Sequence, residues 1–272
     1  MDYSVLMSVY HKENPGFLKL SIESMLNQTV PPSEFLIVKD GPLTDELDGV
    51  IAEYISAYPG LFTILVNEKN LGLGPSLAKG VLSSKNELIA RMDSDDYCVP
   101  DRCEKQLRVF AADNSLGIVG SFGAEFSDSI NHVVSIHSVP ETDSEIRHFM
   151  RRRCAFIHPT VMYRKSAVIE SENYQSVPLY EDYDMFARMV CKHNIKAYNV
   201  QESLYYVRVS DAFFLRRGGV EYAKTVLRFK WGMMKQGYMS PMDFFISGIG
   251  QAAVSLAPNR VRTFFYKKLL RE

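Results

Sequence analysis

Residues 87–102 read ELIARMDSDDYCVPDR, an apolar run that ends in a cluster of acidic side chains. Residues 88–92 have the composition of a short buried strand, and Asp93, Asp95 and Asp96 follow directly. Ionised carboxylates repel one another and are costly to remove from water, so a bound cation would favour such a cluster. Carboxylate oxygens are ligands that suit Mg²⁺ and Mn²⁺. In the other interpretation these residues open a helix, since aspartate and proline are both favoured at helix starts.

Strand-like and helix-like segments alternate from the N-terminus up to this stretch. The strand-like segments are short and mostly apolar, and they cover residues 4–10, 34–38, 62–66 and 88–92. The segments between them have apolar residues at helical spacing or follow a glycine-rich turn, and they cover residues 16–28, 44–57 and 70–84. This alternation predicts βαβ units, and therefore an α/β fold with a Rossmann-like, mainly parallel sheet flanked by helices.

Polar side chains stand at the ends of three predicted strands. Tyr10, Asp40 and Asp93 each lie at or just beyond the end of such a segment. In α/β sheets, ligands bind beyond the carboxyl ends of the strands. The sequence therefore predicts one binding site at that edge of the sheet.

The charge of the 272-residue chain is unevenly distributed, although its net value is only −1. Residues 213–272 carry 11 basic and 3 acidic side chains, against 20 basic and 29 acidic in the remainder. This asymmetry predicts a main domain at residues 1–212 and a basic, aromatic-rich helical appendage at residues 213–272. A near-neutral chain without a reader motif argues against nucleic acid as a partner.

The basic appendage has two interpretations. Residues 221–238 and 260–271 interleave apolar and aromatic side chains with cations, and helices of that kind can lie on an anionic membrane surface. The uncharged run 244–259 is too short to cross a bilayer, so the predicted contact is peripheral. The alternative is a helical cap that packs on the core or on a second subunit in a homodimer.

Six segments carry a resemblance to a known family through their order and spacing. They are SVY (8–10), IVKDG (37–41), NLGLGPSLAKG (70–80), ARMDSDDYCVPDR (90–102), FIHPTVMYRKSA (156–167) and LYEDYDMFARMV (179–190). Over residues 3–210 this ordered set resembles the inverting family 2 glycosyltransferases, which have the GT-A fold. Within that family the likeness is to bacterial enzymes that build capsule, exopolysaccharide or O-antigen repeat units, the amylovoran-type subgroup.

The resemblance implies a nucleotide-sugar site at the predicted sheet edge. Ser8 and Tyr10 would line the nucleotide pocket, with the Tyr10 ring against the base, although a tyrosine at a strand end can also simply pack on its neighbours. Asp40 would accept a hydrogen bond from the uracil ring N–H. Lys39 stands where many members carry a second acid, so the surroundings of that contact differ here.

The resemblance also implies a divalent cation, Mn²⁺ or Mg²⁺, bound together with the donor diphosphate. Asp95 would be the direct ligand, and Asp93 would lie near the ribose and the metal. Arg208, Arg216 and Arg217 lie on the segment that closes over the diphosphate in relatives. Guanidinium groups suit phosphate, but cations at these positions can equally face lipid.

A second acidic constellation, at residues 180–184, is the candidate for the general base. An inverting transfer needs one carboxylate to take the proton of the acceptor hydroxyl as its oxygen attacks. By resemblance Asp182 is that base, and Glu181 and His158 are candidates for contacts with the acceptor. On the residues alone, Glu181 and Asp182 could form the acidic first turn of a helix, and a single histidine could be a structural hydrogen-bond partner.

The expected activity is a metal-dependent glycosyltransferase that moves a hexose or N-acetylhexosamine from a UDP-sugar to a saccharide acceptor. An undecaprenyl diphosphate-linked acceptor would account for membrane contact. Four cysteines without CxxC spacing indicate a reduced cytoplasmic protein, at the inner face of the membrane if it binds there. Two alternatives are a sugar-phosphate nucleotidyltransferase and a non-catalytic nucleotide-sugar-binding protein. A nucleotidyltransferase would be expected to carry an N-terminal glycine-rich loop with basic residues, and SVYHKENPGF (8–17) matches such a loop poorly.

Overall fold

A computed structural model describes residues 1–127, 129–209 and 218–258 of the protein. Within these ranges nine strands form one sheet. The strands are β1 (Tyr3–Val9), β2 (Glu34–Lys39), β3 (Phe62–Val66), β4 (Leu88–Met92), β5 (Tyr97–Cys98), β6 (Leu116–Phe126), β7 (Val133–His137), β8 (Met162–Arg164) and β9 (Lys196–Arg208). The helices are α1 (Pro15–Leu26), α2 (Asp45–Ala57), α3 (Leu73–Ser83), α4 (Arg102–Ala112), α5 (Asp143–Met150), α6 (Lys165–Glu170), α7 (Glu181–Ala187), α8 (Val220–Lys235), α9 (Pro241–Asp243) and α10 (Gly250–Leu256). Three short turns of other helix types are His158–Thr160, Arg188–Lys192 and Phe244–Ile249.

The first four strands along the chain form the parallel half of the sheet, in the order β3-β2-β1-β4. Helices cover both faces of these strands, so the strands are apolar almost throughout, and every residue of β4 is buried. Successive residues of β1 enter opposite cores. Leu6 belongs to the core that includes Leu77 of α3, whereas Val5 belongs to the core that includes Ile22 of α1. The predicted βαβ pattern is confirmed.

The other half of the sheet mixes strand directions. β8 is antiparallel to both β4 and β6, while β6 and β9 are parallel. The predicted α/β class is therefore confirmed, but the mainly parallel arrangement holds for the first half alone. The sequence did not indicate β9 as a strand, because the exposed pair Gln201 and Glu202 interrupts its apolar pattern where its pairing with β6 shifts register.

The parallel strands bring the three predicted polar positions to one edge of the sheet. β1 and β2 end side by side, because Val9 pairs with Lys39. β4 ends beside the same part of β1. Tyr10, Asp40 and Asp93 directly follow these three ends, so they lie along the carboxyl edge of the sheet as the sequence predicts.

The C-terminal helices pack on α7 and share its core. The Phe229 ring of α8 stacks on Tyr180, with ring centroids 4.2 Å apart. Val226 and Met233 of α8 are buried in the core that also contains Phe186 of α7. The predicted helical character of the appendage is thereby confirmed for residues 218–258, and these helices directly support the segment that carries the candidate base.

Two features of the predicted appendage fall outside the residues that the structure describes. The proposed boundary between residues 212 and 213 is one, and the basic segment 260–271 is the other. Among the helices of the described ranges, none combines the length and the apolar composition that crossing a bilayer requires.

Lys230 is a buried cation at the contact between α8 and α7. Its Nζ donates to the main-chain oxygen of Arg152 at 2.6 Å and lies 4.8 Å from the centre of the Tyr183 ring. Burial lowers the pKa of Lys230 to about 8. The charged form is therefore less favourable in the folded protein than in the unfolded chain.

The Lys230→Met variant is expected to show how this charge affects stability. The folded pKa of about 8 lies below the ordinary 10.5, so between these pH values the unfolded chain binds more protons at this site. The stability of the wild type should therefore rise relative to the variant across this window, by up to about 3 kcal/mol in the free energy of unfolding. Urea unfolding at about pH 7 and about pH 10 measures the difference. The exposed Lys224→Met serves as control, and equal pH dependence of both variants would contradict the expectation.

Candidate active site

The acidic cluster forms where the chain leaves β4. One carboxylate oxygen from each of Asp93, Asp95 and Asp96 lies within 4.8 Å of the other two. The start of the cluster is held by its backbone, because the N–H of Asp93 donates to Tyr205 Oη at 3.0 Å and its carbonyl oxygen accepts from Ser21 Oγ. The predicted acidic residues are thus brought together by the end of a rigid central strand.

The three carboxylates of the cluster differ in their partners. Asp93 forms an ion pair with the buried Arg91. Asp96 is buried and accepts the backbone N–H of Arg208 at 2.7 Å. Within the described residues, no other residue forms a hydrogen bond or ion pair with the carboxylate of Asp95. Asp95 is therefore the carboxylate best placed to accept a new ligand.

The electrostatics of the cluster favour a bound cation. Burial, and then the charges of Asp93 and Glu13, raise the pKa of Asp95 to about 7. Burial and the neighbouring Asp95 charge raise the pKa of Asp96 well above its usual value. A divalent cation would relieve this repulsion, and a set of close carboxylate oxygens is the donor chemistry that Mg²⁺ and Mn²⁺ prefer. The residues present therefore fit such an ion.

Tyr10 and Ser8 occupy the end of β1 at the same sheet edge. Tyr10 is 41% exposed, and its ring meets His11 edge-on with centroids 5.8 Å apart. The Tyr10 side chain is thus partly accessible at the sheet edge. Ser8 is half-buried in the strand. Their contacts with a nucleotide remain predictions.

Asp40 holds the glycine-rich loop that precedes α3. Its carboxylate accepts from the backbone N–H groups of Leu71 at 2.8 Å and Gly72 at 3.0 Å, and from the Asn67 side chain at 3.1 Å. The next residue, Gly41, has φ +89°, and a Cβ there would lie 2.7 Å from a backbone nitrogen of the loop. Asp40 is only 3% exposed, so its predicted contact with uracil remains a prediction, and its observed role is to shape the loop.

Arg208, the last residue of β9, lies beside the acidic cluster. Its Nε donates to the main-chain oxygen of Asp95 at 2.9 Å. Its guanidinium stacks on Phe17 at 3.8 Å and on Phe126 at 4.5 Å from the ring centres. These contacts place the charge next to the cluster, and its contact with a diphosphate remains a prediction. Arg216 and Arg217 lie outside the described residues.

The candidate base lies in the first turn of α7, which packs against α3. Asp182 Oδ1 accepts the backbone N–H of Tyr183 at 2.7 Å, so the acidic first turn that the sequence suggested is present. Glu181 has a raised pKa because of burial, then because of the Asp182 charge, and Asp93 contributes as well. A Cβ on Gly74 would lie 3.3 Å from Glu181 Cβ, so α3 packs directly against this turn. The charge of Asp93 thus reaches Glu181 of the second acidic constellation.

His158 is held by aromatic neighbours. Its Nε2 forms a hydrogen bond with Tyr174 Oη at 3.0 Å, and its ring lies edge-on to Phe186 at 5.9 Å between centroids. Burial, and then the charge of Arg91, keep the pKa of His158 well below its usual value, so the ring is neutral. The structural interpretation of this histidine fits these contacts, and its contact with an acceptor remains a prediction.

Most of the chain matches one known protein family. Residues 4–176 match the family model described as Glycosyl transferase family 2, a span that includes the acidic cluster. The chain belongs to this family. The match confirms the resemblance to family 2 glycosyltransferases that the order of the motifs indicated. Asp182 lies beyond the matched span.

Relatives extend the likeness along nearly the whole transferase. A Haemophilus influenzae protein described as an uncharacterized glycosyltransferase is 36% identical over 99% of this chain and 97% of its own. An Escherichia coli UDP-Gal:alpha-D-GlcNAc-diphosphoundecaprenol beta-1,3-galactosyltransferase is 32% identical over 99% of this chain and 96% of its own. The Erwinia amylovora amylovoran biosynthesis glycosyltransferase AmsE is 30% identical over 98% of both chains. The likeness to the amylovoran-type subgroup is confirmed.

Solved structures confirm the GT-A fold of the transferase. An S. aureus TarS fragment in complex with UDP-GlcNAc superimposes with a TM-score of 0.65 at 15% identity, over 86% of this chain and 67% of that chain. The Pyrobaculum calidifontis mannosyltransferase PcManGT, in complex with GDP-Man and Mn²⁺, gives a TM-score of 0.64 at 12% identity, over 96% of this chain and 72% of that chain. At such identities the likeness concerns the fold.

Three residues of the transferase site were not predicted. Arg91 interrupts the apolar run of β4, and this break was the signal that could have identified it. Glu13 accepts a hydrogen bond from Ser94 Oγ within the cluster, but no motif marks it. Tyr205 contacts Asp93 from β9, a strand that the sequence did not indicate.

Proposed function

We propose that the transferase moves a hexose or N-acetylhexosamine from a UDP-sugar to a saccharide acceptor, with inversion, in the synthesis of a bacterial surface polysaccharide. The observation that carries this proposal is the cluster of three close carboxylates at the sheet edge, Asp93, Asp95 and Asp96. The names of the Escherichia coli and Erwinia amylovora relatives support the donor class and the pathway class. The UDP-GlcNAc complex of TarS supports a UDP-sugar on this fold.

The proposed mechanism divides the chemistry between the two acidic constellations. A Mn²⁺ or Mg²⁺ ion held by Asp95 would stabilise the negative charge that develops on the departing UDP. Asp182 takes the proton of the acceptor hydroxyl as its oxygen attacks the anomeric carbon from the face opposite the diphosphate. Tyr10 stacks on the base, and Asp93 lies near the ribose. Glu181 and His158 orient the acceptor on the α7 side of the site.

Family membership favours this activity over the two alternatives that the sequence left open. A sugar-phosphate nucleotidyltransferase or a non-catalytic nucleotide-sugar-binding protein would not be expected to share a family with named glycosyltransferases along its whole length. A binding protein would also need no general base. Activity that depends on Asp182 therefore separates a transferase from a binding protein.

A donor screen tests the proposed function directly. Purified transferase would be incubated with Mn²⁺ or Mg²⁺ and with UDP-, GDP- and dTDP-sugars, and released nucleotide would be measured with and without an undecaprenyl diphosphate-linked saccharide. We expect acceptor-dependent release of UDP alone, and product analysis should show an inverted anomeric centre. Release of GDP or dTDP instead, or release of pyrophosphate, would contradict the proposal.

The acceptor is proposed to be lipid-linked, which places the transferase at the cytoplasmic face of the membrane. The outer face of the C-terminal helices supports a peripheral contact there. Its exposed apolar side chains are Trp231, Met242, Phe245, Ile246, Ile249 and Leu256. Lys224, Arg228 and Lys235 are exposed on α8, at the helical spacing of Trp231. Aromatic side chains with flanking cations match an anionic bilayer surface, whereas two copies of this face would bring like charges together.

Vesicle binding tests this contact. The Trp231→Ser, Phe245→Ser double variant is expected to lose roughly tenfold or more in affinity for vesicles that contain phosphatidylglycerol, because two exposed aromatic anchors are removed. Co-sedimentation measures the change, and Ile55→Ser, an exposed apolar position on α2, is the matched control. Unchanged vesicle binding by the double variant would contradict the contact, and a dimer that only this variant disrupts would assign the face to a second subunit.

A further inference from the structure

Arg91 is a buried cation at the acidic cluster that the proposed mechanism does not use. Its side chain is 2% exposed and forms an ion pair with Asp93 through Nη1. Its Nε forms no hydrogen bond within the described chain. A guanidinium buried with unused N–H groups costs stability. The fold alone therefore gives no reason for an arginine at this position of an apolar strand.

The position of Arg91 is set by the core of the sheet. Its backbone N–H donates to the oxygen of Val161 at 3.0 Å, and its own carbonyl oxygen accepts from Arg102 Nη2 at 2.9 Å. Arg102 is itself fully buried and bound to Gln106 at 3.1 Å. The guanidinium of Arg91 is thus presented to the cluster from a rigid strand.

The charge of Arg91 reaches both halves of the site. Burial raises the pKa values of Asp95 and Asp96, and Arg91 opposes that rise at both carboxyl groups. It also opposes the rise that burial causes at Glu181 in α7.

We propose that Arg91 is a positioning residue of the donor site, which holds the Asp93 carboxylate away from the cation and leaves Asp95 as its ligand. This inference rests on the proposed function, since it concerns the cation and the UDP-sugar of that reaction. The positive charge of Arg91 also offsets the acidic cluster, and so favours the approach of an anionic diphosphate. These two effects act in opposite directions on the two ligands.

Arg91→Met is expected to strengthen the binding of Mn²⁺ and to weaken the binding of the UDP-sugar. Without Arg91 the cluster is more negative and Asp93 is free to turn toward the ion, so affinity for Mn²⁺ alone should increase roughly tenfold. The KM for the UDP-sugar should increase by a similar factor, because the anionic diphosphate loses a nearby positive charge. A variant that is merely misfolded would weaken both.

Two further substitutions distinguish charge from geometry. Arg91→Lys keeps the charge but lacks the planar fork that pairs with Asp93, so the donor KM should stay near the wild type while Mn²⁺ affinity increases less than in Arg91→Met. Arg102→Lys is the matched control, because that arginine is equally buried but contacts no acidic side chain in the described chain. It should lower the thermal midpoint without changing Mn²⁺ affinity.

A double-mutant cycle tests whether Arg91 acts through Asp93. Asp93→Asn alone should weaken Mn²⁺ binding roughly tenfold, because it leaves the buried guanidinium without its partner. In the Arg91→Met background the same substitution should have a clearly larger effect, since Asp93 is there free to act as a ligand of the ion and its removal takes that ligand away. Equal effects in both backgrounds would show that the two residues act independently, which would overturn the inference.

The experiment uses the full chain and a readout that does not depend on turnover. Free Mn²⁺ is measured by electron paramagnetic resonance in titrations without nucleotide, and the donor KM and the thermal midpoint are then measured for each variant. The inference is supported if the wild type binds Mn²⁺ and Arg91→Met binds it more tightly. Equal or weaker binding by Arg91→Met overturns the inference alone. Wild type that binds no Mn²⁺, with or without UDP, overturns the proposed metal site and the inference with it.

Discussion

Asp182→Asn is expected to lower kcat by roughly 10³-fold while UDP binding stays close to that of the wild type. General-base catalysis contributes about 10²- to 10⁴-fold, and asparagine has the same shape but accepts no proton at neutral pH. The amide oxygen can still accept the Tyr183 N–H, so the first turn of α7 should remain folded. Initial rates at saturating donor, with UDP affinity from calorimetry, measure both quantities.

Asp184→Asn is the matched control for the base. Asp184 lies in the same helix, but its carboxylate pairs with Arg188 Nη2 at 2.8 Å and is largely buried. Its substitution should reduce thermal stability and leave kcat close to the wild type, because it removes an ion pair and no proton acceptor of the reaction. Wild-type turnover by Asp182→Asn would remove the base assignment, and equal losses in both variants would indicate that α7 matters only for folding.

Asp95→Ala is expected to abolish stimulation by Mn²⁺ and Mg²⁺ and to lower turnover by roughly 10²-fold or more. In the proposed mechanism the ion would stabilise the charge on departing UDP, and no other residue of the described chain binds the carboxylate of Asp95. Rates measured across a range of Mn²⁺ concentrations would show the loss. Asp101→Ala, at an acidic position paired with Lys105 on α4, is the control. Metal-stimulated turnover by Asp95→Ala would contradict the ligand assignment.

Without metal, the ionised Asp95 side chain should destabilise the folded protein, so its replacement should increase stability at high pH. Burial and neighbouring charge raise the folded pKa of Asp95 to about 7 from the ordinary 3.8, so the folded state binds more protons between these values. Wild type should therefore lose stability relative to Asp95→Asn as pH rises through about 7. Thermal unfolding in a chelator at about pH 5 and about pH 8 measures this difference. A greater loss of stability in the variant at the higher pH would contradict the electrostatic account of the cluster.

The parallel half of the fold could be predicted from the sequence because its signals are local. Strands 62–66 and 88–92 were predicted with the bounds that the structure shows, since each is a short apolar run with turn residues on both sides. The meeting of Tyr10, Asp40 and Asp93 at one edge followed from parallel pairing alone. The acidic cluster could therefore be inferred from residue types and strand order.

The remainder depends on long-range contacts that no local pattern records. β9 contributes Tyr205 and Arg208 to the cluster, yet its polar centre hides it as a strand. Asp40 was predicted from its position after β2, but its burial in the glycine-rich loop depends on residues 67–72. The pairing of Arg91 with Asp93 depends on how the chain turns after β4, which the sequence did not reveal.

A crystal structure of the transferase with UDP and Mn²⁺ tests the central claim most directly, since the anomalous signal of manganese locates the ion. The account predicts a single peak at the acidic cluster, roughly 2 Å from a carboxylate oxygen of Asp95 and in contact with the diphosphate of UDP. Asp93 should still be paired with Arg91 in that structure. UDP bound with its diphosphate away from the cluster, or manganese bound at another site, would contradict the account.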